Sequence, residues 1–302
     1  MTTFTVHSVP ANGLRFGYIE AGEAGEAPLA LCLHGFPDTA HTFRYLLPEL
    51  ARAGYWAVAP FMRGYAPTEV PEDACYETAA LATDVNALHA ALTGSGPRSS
   101  TEDGLGPGVL IGHDWGAFAA YGAAALEPRR WRSVVALSSP PTRAIIPSFL
   151  DYDQLRRSFH QFLFQTPLAE AAVMRDDYAF LRRLWTDWTV DYDPSTDLTH
   201  VRAALRDQAN VTAAISYFRG MFDVYPRSSR YASIRHRAQA VPTHPVLYLQ
   251  GERDGSLGTD LAENARSVFA ADSVVELVEG VGHFPHLERP APVNRRILDW
   301  LS

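Results

Sequence analysis

Short apolar runs recur along this chain, separated by longer stretches of helical or small-residue character. Residues 6–9 and 14–20 form two such runs on either side of Asn12-Gly13, a dipeptide suited to the positive φ values of a tight hairpin turn. The chain therefore opens with an antiparallel pair. Residues 29–33 and 56–59 then enclose a helical stretch around residues 43–53, and residues 109–111 and 134–137 enclose another. Regular alternation of strand and helix predicts an α/β fold built on a mostly parallel, doubly wound sheet. Residues 94–108, rich in Gly, Ser and Pro and without periodicity, read as a long surface loop.

The pattern changes at Pro140-Pro141. From about Ile145 to Arg235 the chain turns helical and aromatic, with Phe159, Phe162, Phe164, Tyr178, Phe180, Trp185, Trp188, Tyr217, Phe218 and Phe222. Beyond Pro242 the strand pattern resumes at residues 246–250 and 274–278. Two β-runs so far apart belong to one core only if the helical residues between them form an insertion. The expected organisation is a core domain of residues 1–140 and 236–302 and a helical cap of residues 141–235. No internal repeat interrupts this plan.

Composition narrows the classes of partner. The 302 residues carry 26 Lys+Arg against 34 Asp+Glu, a formal net charge of -8, which points away from nucleic acids and anionic membranes. Two cysteines, Cys32 and Cys75, are too few for a disulfide framework and suit a reducing cytoplasm. Residues 1–10 lack the basic and apolar regions of a signal peptide, and no run reaches the roughly 18 apolar residues of a membrane span. A cytoplasmic protein acting on a small molecule is the expectation, with the oligomeric state left open.

Chemistry concentrates in four loops, each following a predicted strand end, where open α/β sheets bind ligands. Gly112-His113-Asp114-Trp115-Gly116 lies between an apolar strand and the small-residue helix of residues 117–125. Many hydrolases hold a nucleophile on such a glycine-framed turn. An aspartate there attacks through a carboxylate oxygen and leaves an enzyme ester, which suits displacement at carbon. After residues 29–33 comes His34-Gly35-Phe36-Pro37, whose proline would fix the Phe36 N–H, with a cis bond as one means. With the Trp115 N–H it would form an oxyanion hole, each donor typically worth about 3 kcal/mol in the transition state. The later strands lead into Gly251-Glu252-Arg253-Asp254-Gly255 and Gly280-Val281-Gly282-His283-Phe284-Pro285-His286. In chain order these supply nucleophile Asp114, acid Asp254 and base His283, with Glu252 and Asp260 as rival acids. Asp254 would orient the imidazole while His283 draws a proton from the water that attacks the ester. Asp114 alone could be an ordinary turn residue; the separate acid and base loops argue against that. His34, His113 and His286 are expected to pin the loops beside them.

Through His34-Gly35-Phe36-Pro37, Gly112-His113-Asp114-Trp115-Gly116, the helical insertion, Asp254 and Gly282-His283-Phe284, the chain resembles α/β-hydrolases of the epoxide hydrolase branch over nearly its whole length. That resemblance implies an α/β-hydrolase fold with an inserted cap, an Asp114 ester, hydrolysis of an epoxide to a vicinal diol, and no metal or organic cofactor. It also implies two cap tyrosines that donate to the ring oxygen, and here the chain departs. Their places fall at His160 and Phe218, with Tyr217 one residue early. One residue is about 100° of helix rotation, so Tyr217 need not face the cavity. His160 and Tyr217 are the candidate donors, followed by Tyr152, Tyr178 and Tyr192.

The candidate pocket residues are Phe36, Trp115, Phe164, Trp185, Phe218 and Phe284, which favour an apolar or aromatic substrate. Most cap aromatics have a plainer role in packing. Haloalkane and haloacid dehalogenases share the aspartate nucleophile, and Trp115, Trp185 and Trp188 offer N–H donors for a halide. Fluoroacetate-type dehalogenases also place a histidine near His160 but follow it with tryptophan, where this chain has Gln161. They bind the substrate carboxylate with arginines beside the nucleophile. Trp115 and Phe118 stand there instead, disfavouring a small carboxylate substrate. A non-catalytic binder on the same scaffold is a third reading, which the three-residue set opposes.

Overall fold

The computed structural model describes residues 4–25, 27–94, 107–222 and 227–302. Its centre is an eight-stranded sheet in the order β1-β2-β4-β3-β5-β6-β7-β8. β1 (His7–Ala11) and β2 (Leu14–Ala21) pair antiparallel across Asn12 and Gly13, both at positive φ, so the hairpin signal was sound. β2 also runs antiparallel to β4 (Trp56–Pro60). The remaining ladders through β3 (Leu29–Leu33), β5 (Gly108–His113), β6 (Trp131–Leu137), β7 (Val246–Gly251) and β8 (Val274–Val278) are parallel. Every residue of β3, β4, β5 and β7 is buried, as expected of central strands covered by helices on both faces.

Two helical expectations need adjustment. The stretch around residues 43–53 is a 3-10 turn at Ala40–Phe43 followed by α1 (Leu47–Arg52), because Pro48 starts the helix as its second residue and cannot continue an earlier one. The chain also forms α2 (Thr78–Thr93), which the apolar pattern does not announce. It packs on α3 (Trp115–Leu126) through small residues on both sides. A Cβ on Gly122 would meet Ala82 Cβ at 2.8 Å and the Ala238 carbonyl oxygen at 2.8 Å, so close approach here depends on the missing side chain. Of the expected loop at residues 94–108, residues 95–106 lie outside the described residues.

Between β6 and β7 the chain leaves the sheet and forms α4 (Thr142–Ile145), α5 (Tyr152–Arg157), α6 (Phe159–Leu163), α7 (Ala169–Trp188), α8 (Ser195–Ala204), α9 (Gln208–Arg219) and α10 (Arg235–Ala238). The last part of the chain adds α11 (Asp260–Val268), α12 (Pro285–Glu288) and α13 (Pro290–Leu301). Polar contacts tie the helical segment to the sheet side. Trp185 Nε1 donates to the Pro37 carbonyl at 2.9 Å, Asn210 Nδ2 to Gly64 at 2.7 Å, and Arg44 pairs with Asp197 at 2.6 Å. That ion pair is nearly dry, so removing either partner would strand a buried charge. Among the described residues no helix is long and apolar enough to cross a membrane.

Candidate active site

The turn from β5 to α3 places Asp114 at φ 50 and ψ -118, a strained conformation for a non-glycine residue and one that lifts the side chain above the sheet. Its neighbours must be small for this to happen. A Cβ on Gly116 would strike the Leu33 carbonyl, and one on Gly35 would strike the Asp114 side chain itself. The Phe36 N–H donates to Asp114 Oδ1 at 2.7 Å, and the Phe36-Pro37 peptide is cis. Trp115 is the first residue of α3, a position whose N–H has no intrahelical acceptor. Burial favours the neutral Asp114 acid, but His283 and the Phe36 N–H outweigh it and hold the carboxyl below its usual range.

Asp254 follows β7, and its Oδ1 accepts from the N–H groups of Ser256 and Leu257 at 2.7 and 3.0 Å. Its Oδ2 lies 2.9 Å from His283 Nδ1, so that nitrogen donates and the other faces Asp114. Glu252, a rival acid, instead accepts from the Gly280 N–H at 3.2 Å. The His283 backbone is fixed on both sides: its N–H donates to Trp188 at 2.7 Å, and its carbonyl accepts from His113 Nε2 at 2.9 Å. His283 Nε2 stands 3.7 Å from Asp114 Oδ2, too far for a hydrogen bond. Burial alone would lower the imidazole pKa, but Asp254 and Asp114 together push it up to about 10.

The loop histidines pin what surrounds them. His34 accepts the Met62 N–H at 2.9 Å on Nε2, so its Nδ1 donates to the Gly35 carbonyl at 2.9 Å. His286 Nε2 lies 2.6 Å from Thr42 Oγ1. Behind His283, free atoms of Asp38, His113 and His286 lie within 4.8 Å of one another, which makes them the one set among the described residues close enough to consider for a metal. His113 Nδ1 and Asp38 Oδ2 are 3.9 Å apart, wider than the roughly 3.3 Å edge of a tetrahedral zinc site. Burial and the nearby Asp197 push the Asp38 carboxyl up to about 8.

Asp114 opens into a cavity of about 20 Å³, room for about one water molecule. Trp115 and Phe218, two expected pocket residues, line it. The others stand one layer back. Phe36 and Phe164 pack against Phe218 with ring centroids 5.1 and 5.2 Å away, and Trp185 stacks on Phe284 at 3.7 Å. Of the donor candidates, His160 lines the cavity and Tyr217 does not. The Tyr217 hydroxyl donates to the Arg63 carbonyl at 2.8 Å, with its ring behind Trp115; the helix rotation that separates it from Phe218 decides this. Tyr152 is exposed, Tyr178 donates to the Leu205 carbonyl, and Tyr192 to Asp197. Phe118, Ser139, Ile145, Gln161, Met221, Ser256 and Leu257 complete the lining, at positions that no sequence motif marks. For Gln161 the sequence held one signal: two polar residues in succession within the aromatic run 159–164. A larger groove of about 630 Å³ is rimmed by Glu69, Glu72, Asp73, Arg206 and Arg230 and contains no nucleophile paired with a base.

A strained carboxylate, an acid and a base beyond the ends of the parallel strands β5, β7 and β8, under a helical insertion, define a class of fold. The model of the alpha/beta hydrolase fold family matches residues 28–290, and the chain belongs to that family. Within it, the chain is 29% identical to Epoxide hydrolase A of Mycobacterium tuberculosis (strain ATCC 25618 / H37Rv), over 99% of this chain and 97% of that protein. It is 27% identical to Epoxide hydrolase 4 of Homo sapiens, over 96% of this chain and 76% of that protein. The crystal structure of Epoxide Hydrolase A from Mycobacterium thermoresistibile superposes with a TM-score of 0.78 at 29% identity, covering 99% of this chain and 98% of that one.

Proposed function

We propose that the protein is an epoxide hydrolase that converts apolar or aromatic epoxides to vicinal diols through an Asp114 ester, with residues 141–235 as its cap. The observation that carries this reading is the division of labour within one carboxylate. Oδ1 is held by the Phe36 N–H, while Oδ2 is unbonded, beside His283 and open to the cavity. An apolar lining of Trp115, Phe118, Ile145 and Phe218 suits a hydrocarbon substituent. The resting cavity holds about one water, so binding such a substrate requires its lining to open.

Asp114 Oδ2 attacks a ring carbon, the C–O bond breaks away from it, and the departing oxygen becomes an alkoxide stabilised by His160. In the resting site His283 holds a proton between two carboxylates. Ester formation removes the Asp114 charge, which lowers the imidazole pKa, so His283 releases its proton to solvent and becomes a neutral base while the alkoxide takes a proton from water. It then takes a proton from water, and the resulting hydroxide adds to Asp114 Cγ. The oxyanion develops at Oδ1, where the Phe36 and Trp115 N–H groups donate. Collapse expels the second product oxygen with the proton of the added hydroxyl, leaving Asp114 ionised and His283 protonated as at the start.

Halide release is the alternative reading. Against it, the indole N–H of Trp185 is engaged by the Pro37 carbonyl rather than directed at Asp114. The buried, unpaired Cys32 and Cys75 support a reducing, cytoplasmic location. A panel of aryl and alkyl epoxides beside matched haloalkanes tests the function: diol from epoxides with little halide release supports it. Halide release without diol formation would replace it with a dehalogenase.

A further inference from the structure

Opening an epoxide by in-line attack sends the leaving oxygen to the side of the cavity opposite Asp114. The polar groups lining the cavity divide by side. Ser139 follows β6 and Ser256 belongs to the Asp254 loop, both on the sheet side with the nucleophile. On the cap side, His160 and Gln161 are the polar lining residues, consecutive in α6. Tyr217 is engaged by Arg63 and its neighbour Phe218 presents a phenyl ring.

His160 alone is an incomplete answer. Its ring is buried among Phe164, Trp188 and Phe218, which keeps it neutral at pH 7, and a neutral imidazole carries a single N–H. Gln161 differs in being fixed by its backbone and free in its side chain. Its N–H donates to the Ser158 carbonyl at 2.9 Å and its own carbonyl accepts from Gln165 Nε2 at 2.9 Å. Its side-chain Oε1 is buried without a hydrogen-bond partner, and the residue is only 8% exposed. A half-turn of the amide exchanges oxygen for a two-hydrogen donor without moving the helix.

We propose that Gln161 is a catalytic residue for ring opening, its side-chain amide donating to the departing oxygen together with His160. This rests on the epoxide reading above. Replacing a phenol by an amide removes the acidic proton but keeps the hydrogen bond, and the proton itself comes from water. Side-chain amides serve the same purpose in other oxyanion sites, where losing one donor slows the chemical step about 10²–10³-fold.

The test isolates ester formation. In a His283→Gln background, which cannot hydrolyse the ester, styrene oxide is added in excess and the mass of the enzyme is followed in time. Adding Gln161→Leu, or the unbranched Gln161→Met should the leucine disturb folding, is expected to slow ester formation about a hundredfold. Gln161→Glu supplies the second readout. A carboxyl donates only when protonated, so ester formation in that variant should rise as pH falls, unlike in the parent. Ester formation within threefold of the parent in the Leu and Met variants overturns the assignment, as does a Glu variant with the parent's pH profile. A parent that forms no ester with any epoxide overturns the epoxide reading itself and the assignment with it.

Discussion

The two sides of the cavity are built differently. On the sheet side Asp254 accepts two backbone hydrogen bonds and one from His283, Asp114 Oδ1 accepts one from Phe36, and the His283 backbone is bonded at both its N–H and its carbonyl. On the cap side the amide oxygen of Gln161 has no partner in the protein, although the residue is buried. A group that must keep one geometry through every turnover is held by backbone; a group left unpartnered in a native site is available to a ligand. In the proposed mechanism the sheet side carries the ester chemistry and the cap side selects what reacts.

Substitutions on the sheet side should break this division most severely. Asp114→Ala is expected to abolish diol formation, a loss of about 10⁴-fold or more in kcat. His283→Gln should reduce turnover by about 10³–10⁴-fold while still forming the ester, seen as a stable mass increase equal to the epoxide. Asp254→Asn should fall in the same range, because an amide no longer stabilises the imidazolium.

Changes on the cap side sharpen the contrast with smaller effects. Tyr217→Phe should leave kcat/KM within about twofold while lowering stability by about 1–3 kcal/mol, since the buried Arg63 carbonyl loses its donor. A hundredfold loss of activity without loss of stability would place that hydroxyl in the chemistry after all. The smallest effect is electrostatic. His283 is protonated up to about pH 10 in the fold, against 6.5 for a free imidazole. Its contribution to stability is complete below pH 6.5 and is lost as pH rises through about 10. The unfolding midpoint of the wild type should thus decline more steeply between pH 7 and pH 10 than that of His283→Gln; parallel declines would contradict the placement of that proton.

What the sequence disclosed follows the same division. Strands β3 and β8 coincide with their predicted ranges, and the order Asp114, Asp254, His283 anticipates three side chains that the structure brings together. Glycine and backbone geometry leave local marks in sequence, as at Gly35 and Gly116, where no side chain fits. Helix α2 was less legible because it is rich in alanine and buried around much of its circumference, so the usual one-sided pattern is missing. The cap was least legible of all. Whether Tyr217 or Phe218 meets the cavity depends on one residue of helix phase, and Gln161 reaches the cavity by its position in α6 rather than by any motif.

A single turnover in heavy-oxygen water distinguishes a covalent Asp114 ester from direct attack by water on the epoxide. With enzyme in excess over styrene oxide, heavy oxygen is expected in the peptide containing Asp114, because the water oxygen enters at Cγ and the original carboxylate oxygen leaves in the diol. Heavy oxygen found in the diol alone, with the Asp114 peptide unlabelled, would contradict the ester.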